Sequence, residues 1–371
     1  MSFESGSLSF RMFYVPGELP ETIHEQFADA VLGSVDHLLD EELHGWVGAR
    51  HLLDREIHEG SAWPSGFLRL TLCQAQRKIP ASLLRAECRM EELVWMQAEH
   101  RDYVNRETKS EIKQQVIERL LPQMPPQLKG IDFCYDPREK ILYASALTEK
   151  QLDAFLINFG KTTEVKLVPV DPVSAAWSEA RCRADQWPRW GFAAEQWADC
   201  APGREFLMWL WFMSEAKGGE VRLPDGSSFA VLVEGPLLFD QNEQGETLVR
   251  KGEPMLSAET RAALLSGKKL RRAKLTLARG EECWTCTLDA DEFVFRSLKL
   301  PKTEAIDAEG RFQERMEQLD TFRQAFLGLY STFVNLRDDA AACNALDAEM
   351  KVWMSSRPAR KLVENLPAVS A

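Results

Sequence analysis

Long apolar runs are missing from this chain of 371 residues. Its richest apolar stretch, residues 206–213, is far shorter than the roughly 20 residues that a membrane-spanning helix needs. The N-terminal residues lack a basic segment followed by a long apolar block, so we expect no secretory signal peptide. These absences predict a cytoplasmic protein that does not act on a membrane.

Cysteine is sparse, with eight residues at irregular spacing, whereas disulfide frameworks are typical of short secreted chains. Cys283 and Cys286 form a C-x-x-C pair, but zinc would require a second pair at suitable spacing, and the sequence has none. A redox pair would open a helix, whereas this pair lies in a strand-like run. We therefore predict reduced, structural thiols.

Familiar catalytic motifs are absent, since the sequence has no G-x-S-x-G, P-loop, G-x-G-x-x-G or H-E-x-x-H. The histidines at 37, 44, 51 and 58 recur every seven residues, but two glycines interrupt any single helix that would align them. Glu234, Asp289 and Asp291 are candidate Mg²⁺ ligands for a nuclease, yet no lysine is placed as such a site requires. We predict no catalytic residue, no metal site and no cofactor.

Basic residues are the minority, and 57 acidic against 45 basic residues give a formal net charge of −12. Against this background, residues 268–279 hold six basic residues and no acidic one. Strand alternation places Lys268, Leu270, Arg272 and Lys274 on one face, and Lys269, Arg271, Leu275 and Leu277 on the other. Such a strand suits sequence-independent contact with phosphates. The alternative is an edge strand whose lysines prevent aggregation.

A second basic set lies in and just before a helical segment, residues 80–121; it comprises Arg77, Lys78, Arg101, Arg106, Lys109 and Lys113. Interleaved acidic residues make a solvated helix face the ordinary interpretation. Lys109 and Lys113 are like charges one helical turn apart, off the apolar stripe, which costs a few tenths of a kcal/mol. That cost favours a use for the two lysines.

The order of strand and helix patterns predicts an α+β fold with mixed or antiparallel sheets, an inserted helical projection and a long C-terminal amphipathic helix. The predicted segments are an N-terminal sheet domain (1–76 and 128–170), the helical projection (77–127), a tryptophan-rich connector (171–202), a second αβ domain (203–301) and a C-terminal helical region (302–371). Apolar residues from Phe312 to Leu336 recur every three or four positions, which is typical of a helix of about 25 residues. Periodicity does not decide whether this helix covers a sheet or a partner subunit.

Two blocks of the sequence resemble the RdgC family, the recombination-associated proteins of bacteria. The first runs from Lys78-Ile-Pro-Ala-Ser-Leu-Leu, through a charged helical pair, to Val116-Ile-Glu-Arg-Leu-Leu-Pro122. The second joins Leu256-Ser-Ala-Glu259, Gly267-Lys268 and a strand with Lys274-Leu-Thr-Leu277. With the C-terminal helix, the similar blocks cover chiefly 66–170 and 255–335, and their order and spacing carry the resemblance.

The resemblance implies a homodimer that closes into a ring around duplex DNA and has no established catalytic site, although the family is sometimes labelled an exonuclease. The implied partners are double-stranded DNA, a second copy of the chain and, by competition for DNA, the RecA recombinase; the implied location is the nucleoid. Both basic sets would face the positively charged hole. The expected DNA-binding residues are Arg77, Lys78, Lys109, Lys113, Lys268, Lys269, Arg271, Arg272 and Lys274.

The tip of the helical projection departs from the family pattern. After Leu120-Leu-Pro122 the best-known members carry an arginine and a phenylalanine that help to close the ring, whereas this chain has Gln123-Met124-Pro125-Pro126. The expected dimer contacts are Met124, Pro125, Phe322 and Phe326. The predicted function is sequence-independent duplex binding that modulates recombination without catalysis. The alternatives are a metal-dependent exonuclease and a protein–protein interaction module.

Overall fold

The structure is a computed structural model and describes residues 3–35, 42–187, 201–240, 246–250 and 258–355. The strands are β1 (Leu8–Tyr14), β2 (Leu43–Gly48), β3 (Leu68–Arg77), β4 (Pro126–Asp136), β5 (Ile141–Ala144), β6 (Val168–Pro169), β7 (Glu220–Arg222), β8 (Ser228–Asp240), β9 (Thr247–Val249), β10 (Lys269–Arg279), β11 (Glu282–Asp289) and β12 (Val294–Lys299). The helices are α1 (Ile23–Asp29), α2 (Glu59–Ala62), α3 (Ala81–Ala98), α4 (Arg106–Leu120), α5 (Glu149–Thr163), α6 (Pro172–Ala180), α7 (Pro202–Ala216), α8 (Ala258–Leu265), α9 (Ala308–Asp338) and α10 (Ala340–Ser355).

Contacts divide the chain into two compact units. Unit 1 comprises residues 1–17, 138–149 and 167–371, and unit 2 comprises residues 18–137 and 150–166. The helical projection predicted at 77–127 lies within unit 2, whereas β1 belongs to the same unit as the C-terminal half. The mixture of helices with antiparallel strands confirms the predicted α+β class.

Unit 2 is built on the antiparallel strands β2, β3 and β4, with β3 in the middle. Aromatic side chains fill its core: the ring of Trp46 on β2 lies edge-on to Phe133 of β4 at 5.5 Å, and Phe155 of α5 packs 5.7 Å from Phe133. The buried Trp46 indole donates to the Thr162 hydroxyl at 2.8 Å, so its one polar atom is satisfied. These contacts hold α5 against the sheet.

The predicted helical projection is the pair α3 and α4, which pack against each other. Ile112 and Val116, one turn apart on α4, are buried against Leu84 and Trp95 of α3. The Asn105 side chain accepts a hydrogen bond from the Thr108 backbone N–H at 2.8 Å and so caps the first turn of α4. The apolar stripe predicted on α4 is therefore the seam between the two helices.

Unit 1 contains an antiparallel sheet in the order β5-β1-β12-β11-β10-β8-β7, with β6 also paired to β1 and β9 to β8. Helix α9 covers one face of this sheet. The ring of Phe326 lies 4.8 Å from Phe295 of β12, and the Trp284 indole of β11 donates to the Gln318 carbonyl at 3.0 Å. The long amphipathic helix is confirmed, and its apolar stripe meets a sheet of its own chain.

Two expectations about the C-terminal half need correction. Phe322 and Phe326 were expected at a dimer interface, but they are 1% and 0% exposed, because both rings pack on Phe295 in the core of unit 1. The segment 171–202 is predicted only as a tryptophan-rich connector, but its first part forms α6. Asp171 caps that helix by accepting hydrogen bonds from two backbone N–H groups, a local feature that overrides weak periodicity.

Candidate nucleic-acid interface

The basic strand β10 does not alternate as the sequence predicts. Its pairing with β8 is irregular between Leu270 and Arg272 and again between Arg272 and Lys274. Leu270 is therefore fully buried instead of lying among the basic residues. The irregularity also lets the adjacent Arg271 and Arg272 reach the same carboxylate, Asp289 of β11, at 3.4 and 2.5 Å.

The basic side chains of β10 are neutralised within the chain. Lys274 pairs with Glu234 at 2.8 Å across the β8–β10 ladder, and Lys269 pairs with Glu205 of α7 at 2.9 Å. Arg271 also contacts Asp240, Glu246 and Asp291, at 3.3, 3.7 and 3.1 Å. Lys268, just before the strand, donates to the Thr247 hydroxyl at 2.7 Å. The DNA-binding role of these residues stays a prediction, and their charge is largely compensated where they lie.

The carboxylates considered for a nuclease are the partners in these same ion pairs. Glu234 holds Lys274, Asp289 holds Arg271 and Arg272, and Asp291 contacts Arg204 at 2.6 Å. Among the residues described by the structure, no three His, Cys, Asp or Glu side chains are grouped so as to hold a metal ion. A metal at these carboxylates would have to displace a guanidinium or an ammonium group.

The cations on unit 2 are placed differently. Lys78 follows β3, Lys109 and Lys113 lie on α4, and all three are exposed. In the part of the chain that the structure describes, none of the three forms an ion pair. The nearby Arg119 does, with Glu87 and Glu91 of α3 at 2.9 and 2.8 Å. The exposed lysines are thus the candidate residues whose charge is available to a phosphate.

Helix α4 also separates its charges by side. Each residue turns about 100° around a helix axis, so Arg106, Lys109 and Lys113 fall within about 60° of arc. Glu107, Glu111 and Glu118 fall on the opposite side by the same geometry. The interleaving that looks like mixed charge in the sequence therefore becomes one basic side and one acidic side on the helix.

Arg77 has a different role from its neighbour Lys78. It is half-buried at the end of β3, and its guanidinium donates to the carbonyl of Pro122, at 3.0 Å, and to that of Met124. These contacts fix the turn that ends α4 and leads into β4. Met124 is partly exposed and Pro125 is exposed, so the tip expected to contact a second chain is accessible.

Two arginines that sequence reasoning did not single out lie on the sheet of unit 1. Arg11 on β1 pairs with Glu292 at 2.5 Å, and Arg296 on β12 lies directly across from Thr287 of β11. In the sequence each stands alone among apolar neighbours. Only the strand order brings them towards Arg272, so no local pattern could have revealed them.

The sulfur and histidine patterns lead to no site. Cys283 and Cys286 lie on β11 as free thiols, and burial raises the pKa of Cys286 far above its usual value. His44 lies on β2, whereas the His58 ring caps α2. His37 lies outside the described residues. The interruption predicted for the seven-residue histidine repeat is confirmed for the three that are described.

In the residues that the structure describes, the protein has an α+β fold with paired charges on one sheet and lysines without ion pairs on a helical projection. None of its described helices is suited to crossing a membrane. Residues 12–185 match the sequence model of the family described as "Putative exonuclease, RdgC". Over these residues the chain is similar to the RdgC family. None of the curated proteins matches the chain. The family match includes Lys78, Lys109 and Lys113 but ends before β10.

Proposed function

We propose that this protein binds double-stranded DNA without sequence preference and thereby modulates homologous recombination, with the helical projection of unit 2 as its main contact. The observation that carries the proposal is the exposed basic side of α4, whose lysines have no carboxylate partner in the described residues. Phosphates require only accessible positive donors. Similarity to the RdgC family over residues 12–185 supports a role in recombination.

The basic residues of β10 are less suitable for testing DNA binding. Reversing the charge of Arg272 or Lys274 would place two acidic groups opposite each other, at Asp289 or Glu234, and would disturb the sheet itself. Lys109 and Lys113 can be changed without that complication, because they are exposed and form no ion pair with any of the described residues. They are therefore the residues that test DNA binding most directly.

The test compares two variants of α4 that change the charge by the same amount. Lys109→Gln with Lys113→Gln should weaken binding to every duplex sequence alike, by at least tenfold at about 0.1 M salt. Gln114→Glu with Gln115→Glu, away from the basic side, should weaken binding much less. Affinity is measured on duplexes of different sequence. Equal losses in both variants, or a loss for one sequence only, would contradict contact through the basic side.

We also propose that the active form is a homodimer closed into a ring, with the helical projection at one contact. The face of α3 away from α4 has no charged residue, and Met90, Leu93 and Val94 on it are 51%, 46% and 56% exposed. Such a surface favours burial against another chain. Leu93→Lys should shift the mass measured by light scattering towards the monomer, whereas Leu53→Lys, at another exposed leucine, should not.

Ring closure has its own test. Wild-type protein is incubated with closed circular DNA and with the same DNA linearised, and both are then washed at rising salt with Mg²⁺ present. Retention on the circle with loss from the linear form supports a ring, and equal release from both contradicts it. Competition with the RecA recombinase is supported if saturating amounts of this protein slow the loading of the recombinase onto DNA. Shortening of the linear DNA would instead support the exonuclease alternative.

A further inference from the structure

Three arginines from three strands of unit 1 lie on the sheet face opposite to α9. Phe10 and Phe295 stack at 5.1 Å in the core beneath α9. Because successive side chains alternate along a strand, the next residues, Arg11 and Arg296, point to the other face. Arg272 of β10 joins them there, paired across the ladder with Asp289 of β11.

Arg296 carries the uncompensated charge of this group. Within the described residues it forms no ion pair, and its guanidinium donates one long hydrogen bond, 3.4 Å, to the Leu147 carbonyl. Its Nε is buried without a partner. Burial lowers the pKa of Arg296, and the charges of Arg272 and Arg11 add to this effect, although Asp289 opposes it.

The neighbouring carboxylates are already engaged. Asp289 is shared by Arg271 and Arg272, and Glu292 is bound to Arg11, whose own Nε is also buried without a partner. Asp240, Asp291 and Glu246 also contact Arg271, and Asp240 and Asp291 are shared with Arg204. Arg296, which is partly exposed, is therefore the guanidinium of this group that has no carboxylate contact in the described residues.

We propose that Arg11, Arg272 and Arg296 form a site for one phosphate group on this face. Guanidinium groups bind phosphate oxygens through paired, charge-assisted hydrogen bonds. Thr287 lies between Arg296 and Lys274 on the neighbouring strands and supplies a hydroxyl donor beside them. The phosphate is either a diester of the DNA backbone or a free phosphate, and in the first case the inference rests on the proposed function.

The first experiment measures thermal unfolding in rising inorganic phosphate at constant ionic strength. Phosphate that binds only the folded chain should raise the melting temperature of the wild type towards saturation. Arg296→Gln should weaken the apparent affinity about tenfold. Arg279→Gln, at the far end of β10 and paired with Glu282, should leave it unchanged. Melting without phosphate shows whether each variant folds.

A second variant changes the affinity in the opposite direction, which misfolding cannot imitate. Glu292 is 45% exposed and competes for Arg11, so Glu292→Gln should strengthen phosphate binding several-fold. The proposal is overturned if Arg296→Gln responds to phosphate like the wild type, or if Glu292→Gln weakens the response.

A DNA titration then distinguishes the two sources of phosphate. If the backbone occupies the site, Arg296→Gln should reduce the slope of log affinity against log salt by about one. If a free phosphate occupies it, DNA affinity should stay unchanged while the phosphate response is lost. Should the wild type bind phosphate but no DNA, the proposed function fails and the phosphate site stands.

Discussion

Glu205 is a buried carboxylate, and burial increases the effect of its ion pairs on stability. It is 2% exposed in the first turn of α7 and holds Lys269 at 2.9 Å and Arg337 at 3.1 Å. The Arg337 guanidinium also lies over the Trp187 ring at 5.1 Å. The carboxylate thus joins α7, β10 and α9, three elements that are distant in sequence.

Removing this carboxylate should be costly. Glu205→Gln removes the carboxylate that pairs with the buried Arg337 and with Lys269, and breaking a buried pair typically costs about 3–5 kcal/mol. Urea unfolding should show that loss in the free energy of unfolding. Glu282→Gln, which breaks the exposed pair with Arg279, is the control and should cost at most about 1 kcal/mol. Similar small losses in both variants would contradict the role given to Glu205.

The two cysteines of the C-x-x-C pair should differ in reactivity. Burial raises the pKa of Cys286 and removes it from solvent, whereas Cys283 is partly exposed. Since only the thiolate reacts, alkylation of the folded protein should leave Cys286 unmodified at neutral pH. Mass spectrometry of peptides after iodoacetamide treatment measures this. Fast modification of both residues under native conditions would revive a redox function.

At the scale of the elements, α9 and β10 show what a local pattern reveals and what it hides. The apolar residues of α9 recur every three or four positions and so predict a helix. This spacing alone defines the buried face of the helix, without reference to residues that are distant in sequence. The charge of β10 was misleading, because its partners Glu234 and Asp289 come from β8 and β11. Strand register, which no local pattern specifies, decides whether a basic run meets carboxylates.

The packing of α9 supports a stability prediction. Phe326 is fully buried against Phe293 and Phe295, at 4.9 and 4.8 Å between ring centroids, so Phe326→Ala should cost about 3–5 kcal/mol of unfolding free energy. Chemical denaturation measures the cost. Light scattering tests the alternative. If Phe326 contacted a second chain instead, the measured mass of the variant would fall towards that of a monomer while its free energy of unfolding stayed unchanged.

The same distinction decides which features of this protein can be predicted from its sequence. The α+β class, α9 and the helical pair follow from patterns along the chain. The ion pairs of β10, the structural role of Arg77 and the cluster of Arg11 with Arg296 depend on strand order. Helix α6 is hard to predict because its nine residues give little periodicity, so that the cap at Asp171 is its main local signal.

For the whole molecule, a net charge of −12 makes DNA binding depend on a few well-placed cations. Compensation on β10 leaves the exposed lysines of unit 2 as the main group, and the remaining acidic surface repels DNA. DNA binding should therefore depend on this small group of lysines and should weaken as the salt concentration rises.

That sensitivity has an expected size. If Lys78, Lys109 and Lys113 each neutralise one phosphate, log affinity should fall against log salt with a slope of about −3 for one chain and about −5 for two. Titrations between low and moderate salt measure the slope. A slope near zero would exclude contact with the backbone, and a much steeper one would require the cations of β10 as well.

The pairing of β1 has a consequence for synthesis on the ribosome. Leu8 lies opposite Leu298, so this edge of the N-terminal strand stays open in the nascent chain until residue 298 has been made. Its other edge can pair with β5 much earlier, once Ile141–Ala144 has emerged. An unpaired strand edge invites contact with other chains. Chaperone demand during translation should therefore be greatest before β12 emerges.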